Sequence, residues 1–334
     1  MEYRKLGRTG LEVSVLGIGT NDFGRRTDFE QTKAVLHKCL DLGVNFIDTA
    51  NVYADTHSEE FIGKIIGNTA QRSEVIIATK VGVTVAGRGA ASAGPISANQ
   101  RGGSRHHIMQ QLERSLRRLQ TDYVDVYYLH RWDPETPIEE TLRTFDDMIR
   151  QGKVRYIGAS NSAAWQLAGA MWTARMHNLH QFSCVQFEYN ILSRDAERDI
   201  VPFCEEYGVG LVPYYPLACG LLTGKHRPGR FVEGSRLAGG PWTDVYRSRF
   251  VNDRNWGLLA QLESFAAERR HSVTELAFAW LIAHPVVRSV TAGATSPEQV
   301  EANAKACEWK LTPQDREDVH SLLSGLPLSG PAAI

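Results

Sequence analysis

The sequence predicts an α/β fold of the closed (β/α)8 TIM-barrel type, in which eight parallel strands alternate with helices. Three observations carry that expectation. Eight short β-rich runs recur along the 334 residues. Stretches of helical periodicity separate them. The runs are also continuously apolar, as strands covered on both faces must be. The competing architecture, an open doubly wound sheet, needs a glycine-rich phosphate loop right after its first strand, and Gly17-Ile18-Gly19-Thr20-Asn21-Asp22 lacks the third glycine in register.

Taken in order, Tyr3 to Leu6 and Leu11 to Val13 flank Gly7-Arg8-Thr9-Gly10 and read as an N-terminal β-hairpin within residues 1–14 that caps one end of the barrel. The strand runs are Val15 to Ile18, Val44 to Ile47, Val75 to Thr79, Val124 to Leu129, Val154 to Ile157, Cys184 to Phe187, Val209 to Val212 and Val287 to Val290. Helical spacing is clearest at Gln31 to Leu42, Arg105 to Leu119, Ile138 to Ile149 and Ala196 to Tyr207. Two long loops break the rhythm: Val81 to Arg105 after the third run, and residues 216–253 after the seventh, with Pro241, Trp242, Tyr246 and Phe250. Long loops in a compact domain commonly bind something. Extra helices are expected at Val273 to Ala283 and Pro313 to Leu323, the latter within a C-terminal helix and tail at 312–334, so that residues 1–334 read as one barrel domain.

The bulk numbers restrict the class. With 43% hydrophobic and 22% charged residues the chain builds an ordinary globular core. A net charge of −1 provides no field for a polyanion, so nucleic acid is not an expected partner. Met1 to Lys5 carries no apolar leader, and no later run approaches a membrane span, which points to the cytoplasm. The cysteines at 39, 184, 204, 219 and 307 show no CxxC spacing and read as small core residues rather than disulfides or a metal site. His106-His107 is not spaced like two ligands on one helical face and is expected to face solvent.

In a barrel of this kind the C-terminal strand ends converge on one face. Asp48 ends the second run, Tyr53 follows five residues later, Lys80 ends the third and His130 the fourth. Singly, each is an ordinary cap or a solvated side chain. An acid, a phenol, an amine and an imidazole at the same end of adjacent strands form a chemical set. Reducing a carbonyl by hydride needs a proton delivered to oxygen as negative charge builds there. A phenol can supply it when a nearby ammonium draws its pKa down from about 10. Lys80 would supply that charge, Asp48 would hold the amine protonated, and His130 would orient the substrate oxygen.

These motifs resemble the aldo-keto reductase superfamily over almost the whole chain: Asp48-Thr49-Ala50-Asn51-Val52-Tyr53, Ala78-Thr79-Lys80 and Leu129-His130-Arg131-Trp132-Asp133. Gly158-Ala159-Ser160-Asn161 and the run from Pro216 to Lys225 are most similar to the branch that includes the potassium-channel β-subunits and their bacterial relatives. The resemblance implies an NADPH-dependent oxidoreductase acting on a small aldehyde or ketone, with NADH as the alternative cofactor. It implies cofactor contacts from Gly19, Thr20, Asn21, Asp48, Ser160, Asn161, Gln186, Tyr214, Pro216, Leu217, Ala218, Gly220, Leu222, Gly224, Lys225, Arg236, Gly293, Thr295, Gln299 and Asn303.

Some branches place a Lys and an Arg where Gly293 and Gln299 stand, so Thr295, Gln299 and Arg236 are the expected partners of a 2′-phosphate. Two smaller departures are Tyr215, where a serine is common, and Ala54, where a glycine often follows the tyrosine. Substrate contacts are expected from Phe23, Tyr53, His130, Trp132 and Trp242, with Tyr246 and Phe250 nearby and Arg131 suited to an anionic group. Two other functions fit the same residues: a cofactor-binding regulatory subunit with little turnover, and a Schiff-base lyase using Lys80 as nucleophile.

Overall fold

A computed structural model describes residues 1–84, 99–240 and 242–324. The strands are β1 (Tyr3–Lys5), β2 (Glu12–Ser14), β3 (Leu16–Gly19), β4 (Phe46–Asp48), β5 (Ile76–Val81), β6 (Val124–Leu129), β7 (Val154–Ser160), β8 (Cys184–Glu188), β9 (Gly210–Tyr214) and β10 (Val290–Gly293). The helices are α1 (Phe29–Asp41), α2 (His57–Ile62), α3 (Arg105–Leu119), α4 (Ile138–Arg150), α5 (Ala164–Met176), α6 (Ile200–Tyr207), α7 (Thr243–Phe250), α8 (Asp253–Glu268), α9 (Val273–Ile282), α10 (Pro297–Ala306) and α11 (Pro313–Leu323). Strands β3 to β10 close a parallel barrel in sequence order, with β10 joining β3 to β9, and β1–β2 form a separate antiparallel hairpin. The chain is a (β/α)8 barrel.

Because side chains alternate along a strand, every second residue points into the barrel. Phe46, Ala78, Val126, Tyr128, Cys184 and Val212 fill the interior, and Leu6 and Val13 of the hairpin plug its lower mouth in the same apolar cluster. Two residues further along the same inward rows stand Asp48, Lys80, His130, Gln186 and Tyr214. Register aligns them: Gly19 pairs with Asp48, Lys80 with Tyr128, Ser160 with Gln186 and Gly293 with Gly19. The larger apolar cluster fills the space between barrel and helices.

Local signals set the helix ends. Asp28 caps α1 through a reciprocal capping box with Gln31, and Ser104 caps α3. Starting α3 there turns His107 inward beside Ile108 and Gln111, so His107 is fully buried rather than solvent-facing. Three boundaries differ from the sequence reading. The eighth run is split: Val287 only bridges Leu211, and the strand proper begins at Val290. Helix α6 starts at Ile200 because Asp195–Glu197 is a separate 3-10 turn. The segment after β9 holds a 3-10 turn at Ala218–Thr223 and helix α7. The middle of the loop expected after the third run (85–98), Pro241 and the tail (325–334) lie outside the described residues.

Candidate active site

At the C-terminal strand ends lies a cavity of about 750 Å³. That is within the usual range for a cofactor or substrate site. Its floor is the Asp48–Lys80 pair. The Lys80 Nζ donates to Asp48 Oδ1 at 2.8 Å, Asp48 Oδ2 at 2.7 Å and the Thr49 carbonyl at 2.8 Å, and stands 3.2 Å from the Tyr53 hydroxyl. Gln186 Nε2 donates to Asp48 Oδ1 at 3.0 Å. Lys80 is fully buried and does not touch the cavity, whereas Tyr53 and His130 both line it, their rings edge to face at 6.0 Å.

The electrostatics follow from this burial. Desolvation works to lower the Lys80 pKa, but Asp48 outweighs it and the amine is held above its ordinary value. For Tyr53, desolvation is the largest influence and holds the phenol above its ordinary value, the Lys80 charge offsetting only part of it. Lys80 acts in the direction the sequence predicts, but burial outweighs it, so the net shift is upward rather than toward working pH and the resting hydroxyl keeps its proton. Burial, with Lys80 and Arg131 adding to it, holds His130 well below the usual imidazole range, hence neutral. Among the described residues its Nδ1 has no hydrogen-bond partner.

The turn carrying Tyr53 is strained. Ala54, Asp55 and Thr56 all have left-handed φ, at 49°, 51° and 81°. Such conformations cost roughly 1–2 kcal/mol per non-glycine residue. The turn is pinned by His57 Nδ1 on the Ala54 carbonyl at 2.7 Å. Positive φ at Ala54 is the physical reason a glycine suits that position.

Of the residues expected to hold a cofactor, Gly19, Thr20, Asn21, Asp48, Ser160, Asn161, Gln186, Tyr214, Pro216, Leu217, Gly220, Lys225, Arg236, Gly293, Thr295, Gln299 and Asn303 line the cavity. Ala218, Leu222 and Gly224 do not: the first two are fully buried beneath it. Tyr214 donates to Asn161 Oδ1 at 2.8 Å, which fixes its ring at the cavity wall. The substrate expectations fare unevenly. Tyr53, His130 and Arg131 line the cavity; Phe23, on the loop after β3, and Phe250, at the end of α7, are core residues, 0% and 2% exposed. Trp132 packs against the core, Trp242 is 54% exposed, and neither lines the cavity.

Several wall residues escaped the sequence reading. Asp22 accepts from Arg236 at 2.7 Å and from Arg25 at 3.1 Å, and Arg26 stands 3.5 Å away. Burial works to raise the Asp22 carboxyl, but Arg236, Arg26 and Arg25 together hold it below its ordinary value. Arg26, Lys225 and Arg236 thus gather at one end of the cavity, beside Gly293, where an added Cβ would lie 3.4 Å from Arg236 Nη2. Ser235 Oγ and Thr291 Oγ1 are buried on the wall without partners among the described residues. Amides, cations and unpartnered hydroxyls lining one cavity fit a phosphate-bearing dinucleotide. Thr291, two residues before Gly293 on an inward row, was findable by alternation; Asp22 and Arg26 carried no signal.

Barrel topology, the buried carboxylate–amine pair and the adjoining phenol and imidazole define a class that the comparisons identify. A profile of the aldo/keto reductase family matches residues 15–324, and the chain belongs to that family. Among its relatives, a probable voltage-gated potassium channel subunit beta of Oryza sativa subsp. japonica is 37% identical, covering 98% of each chain. An uncharacterized oxidoreductase, YrpG, of Bacillus subtilis is 36% identical over 99% of this chain and 97% of its own. A putative aryl-alcohol dehydrogenase, C977.14c, of Schizosaccharomyces pombe is 33% identical over 98% and 97%.

Proposed function

We propose that the protein is an NADPH-dependent carbonyl reductase that transfers a hydride to an aldehyde or ketone, reversibly, with Tyr53 as proton donor. The observation that carries this reading is the Tyr53 hydroxyl 3.2 Å from a fully buried, doubly carboxylate-bonded Lys80. When bound, the reduced nicotinamide supplies the hydride. The chain's own residues do the rest. Tyr53 and His130 converge on one side of the cavity, where a carbonyl oxygen can accept from both. A neutral His130 donates one N–H and positions that oxygen without competing for its proton.

As charge develops on the oxygen, the Tyr53 proton moves to it, and the phenolate left behind sits against the Lys80 ammonium. Asp48 keeps that ammonium charged and aimed. Ser160, Asn161 and Gln186, which line the cavity, would hold the carboxamide end of the dinucleotide, and Tyr214 would face its ring. Arg26 and Arg236 supply, from loops distant in sequence, the positive charge that Gly293 and Gln299 lack, which favours a 2′-phosphate. The Schiff-base alternative is disfavoured because Lys80 has no exposed surface and its N–H groups are engaged. The test is NADPH consumption against a panel of aldehydes and ketones, with NADH in parallel. Turnover of none of them, with normal NADPH binding, would replace this reading with that of a cofactor-binding regulatory subunit, which the channel-subunit names of several relatives favour.

A further inference from the structure

Helix α5 is apolar on both sides. Leu167, Ala170, Met171 and Ala174 are buried against the barrel, while Trp165, Trp172 and Met176 point away from it, 73%, 55% and 79% exposed. Gln166 and Thr173 on one flank and Arg175 on the other separate the two apolar faces, and a contiguous exposed apolar patch of this kind normally marks an interaction surface. Trp165, Gly169, Trp172 and Met176 fall within a sector of about 60° at 3.6 residues per turn, so they form one stripe along the outer wall. The single charged residue of α5, Arg175, has its guanidinium 5.3 Å from the ring of Trp172 in this stripe and 5.7 Å from that of Tyr207 in α6.

We propose that this face is the contact between two copies of the chain, packed about a two-fold axis passing close to Gly169. Two features favour a second copy. The first is self-complementarity. Trp165 lies about 6 Å before Gly169 along the helix axis and Trp172 about 4.5 Å after it, at 1.5 Å per residue. A perpendicular two-fold axis at Gly169 therefore brings each Trp165 opposite the other copy's Trp172, the arrangement an isologous interface requires. Gly169 makes the approach feasible: a Cβ there would meet nothing within 4 Å, so the helix surface dips between the two indoles. A glycine inside an exposed helix costs about 1 kcal/mol against alanine, and a close helix crossing gives that cost a purpose.

The second feature is area. Three side chains exposed to this degree offer on the order of 400 Å² of apolar surface per copy. Pairing two copies removes about half of the roughly 1,600 Å² typical of a stable interface before the polar rim is counted, and tryptophan is the residue most often dominant in such contacts. Because α5 lies outside the barrel while the cavity opens at the strand ends, the pairing leaves both active sites accessible.

The experiment is sedimentation of the full chain at micromolar concentration beside Trp172→Glu, with cofactor binding as the control for folding. The wild type is expected at twice the mass of one chain, or a larger even multiple. Trp172→Glu is expected to halve that assembly while its NADPH affinity changes less than twofold. In a second variant, Gly169→Cys, mild oxidation is expected to give a covalent dimer reversed by reductant; all five native cysteines are buried, so the cross-link reports position 169. If Trp172→Glu does not fold, the Gly169→Cys cross-link decides. A monomeric wild type overturns the proposal, as does an assembly that Trp172→Glu leaves intact and Gly169→Cys fails to cross-link. A monomer that co-sediments with phosphatidylglycerol vesicles overturns it in favour of a lipid surface.

Discussion

The two ends of this barrel are built from the same strands and do opposite things. At the lower end, inward side chains are apolar, and Leu6 and Val13 of the hairpin seal them from water. At the upper end, two residues further along the same rows, the inward side chains are a carboxylate, an amine, an imidazole and amides, ringed by a cavity. The lower end contributes stability through burial, and the upper end holds a charged pair whose desolvation must be compensated by its partners. The lesson is that alternation delivers both functions, and that position along the strand decides which.

The comparison can be broken most directly at Tyr53. Tyr53→Phe should lower the reductive rate by about 10²- to 10⁴-fold while the unfolding midpoint stays close to wild type. Rates within a few-fold of wild type on every substrate would remove the phenol from the mechanism. Next come two variants that should separate the ends. Lys80→Met strands the buried Asp48 carboxylate and should cost about 3–5 kcal/mol of stability as well as activity. Leu6→Ala should cost about 2–5 kcal/mol through the cavity it leaves, with turnover per folded molecule unchanged. Denaturant titration paired with single-turnover rates reads both. A loss of turnover in folded Leu6→Ala would show that the two ends are not independent.

A smaller effect is expected at the cation cluster. Arg236→Met should weaken NADPH by roughly tenfold or more, since a hydrogen bond to a charged group contributes about 1.5–3 kcal/mol, and should weaken NADH far less. Equal losses for both dinucleotides would assign Arg236 to holding Asp22 rather than to a 2′-phosphate. The pH profile should be nearly flat. Tyr53 is held above its ordinary pKa of about 10 and His130 well below about 6.5, so raising the pH should not deprotonate the donor until strongly alkaline, and lowering it should not charge the imidazole until well into the acid range. An acid limb centred near the ordinary imidazole value in single-turnover reduction would contradict a neutral His130. The smallest change is Ala54→Gly, expected to stabilise by up to about 1 kcal/mol as the left-handed strain is relieved against glycine's entropy cost.

Much of this was legible in the sequence. Asp48, Lys80 and His130 could be read because each ends an apolar strand run, and strand periodicity fixes which end and which face they occupy. The five cysteines, read as core, are all buried. What stayed hidden depends on contacts that periodicity does not encode. Asp22 and Arg236 are 214 positions apart and meet only because two loops fold over the same strand ends. Phe23 and Phe250 read as loop residues free to touch a ligand, yet the loop after β3 turns Phe23 into the core and Phe250 lies on the buried side of α7. The net pKa of Tyr53 was not legible either, because the lowering by a nearby ammonium is visible in sequence and the larger effect of desolvation is not.

The enclosure of the Lys80 amine has a practical consequence for following this molecule in solution. An amine engaged with Asp48, the Thr49 carbonyl and Tyr53, with no surface of its own, should stay silent toward acylating reagents that label the exposed lysines. Adducts at position 80 in a mass-spectrometric time course therefore mark opening of the barrel itself, which makes this side chain a built-in clock for global unfolding.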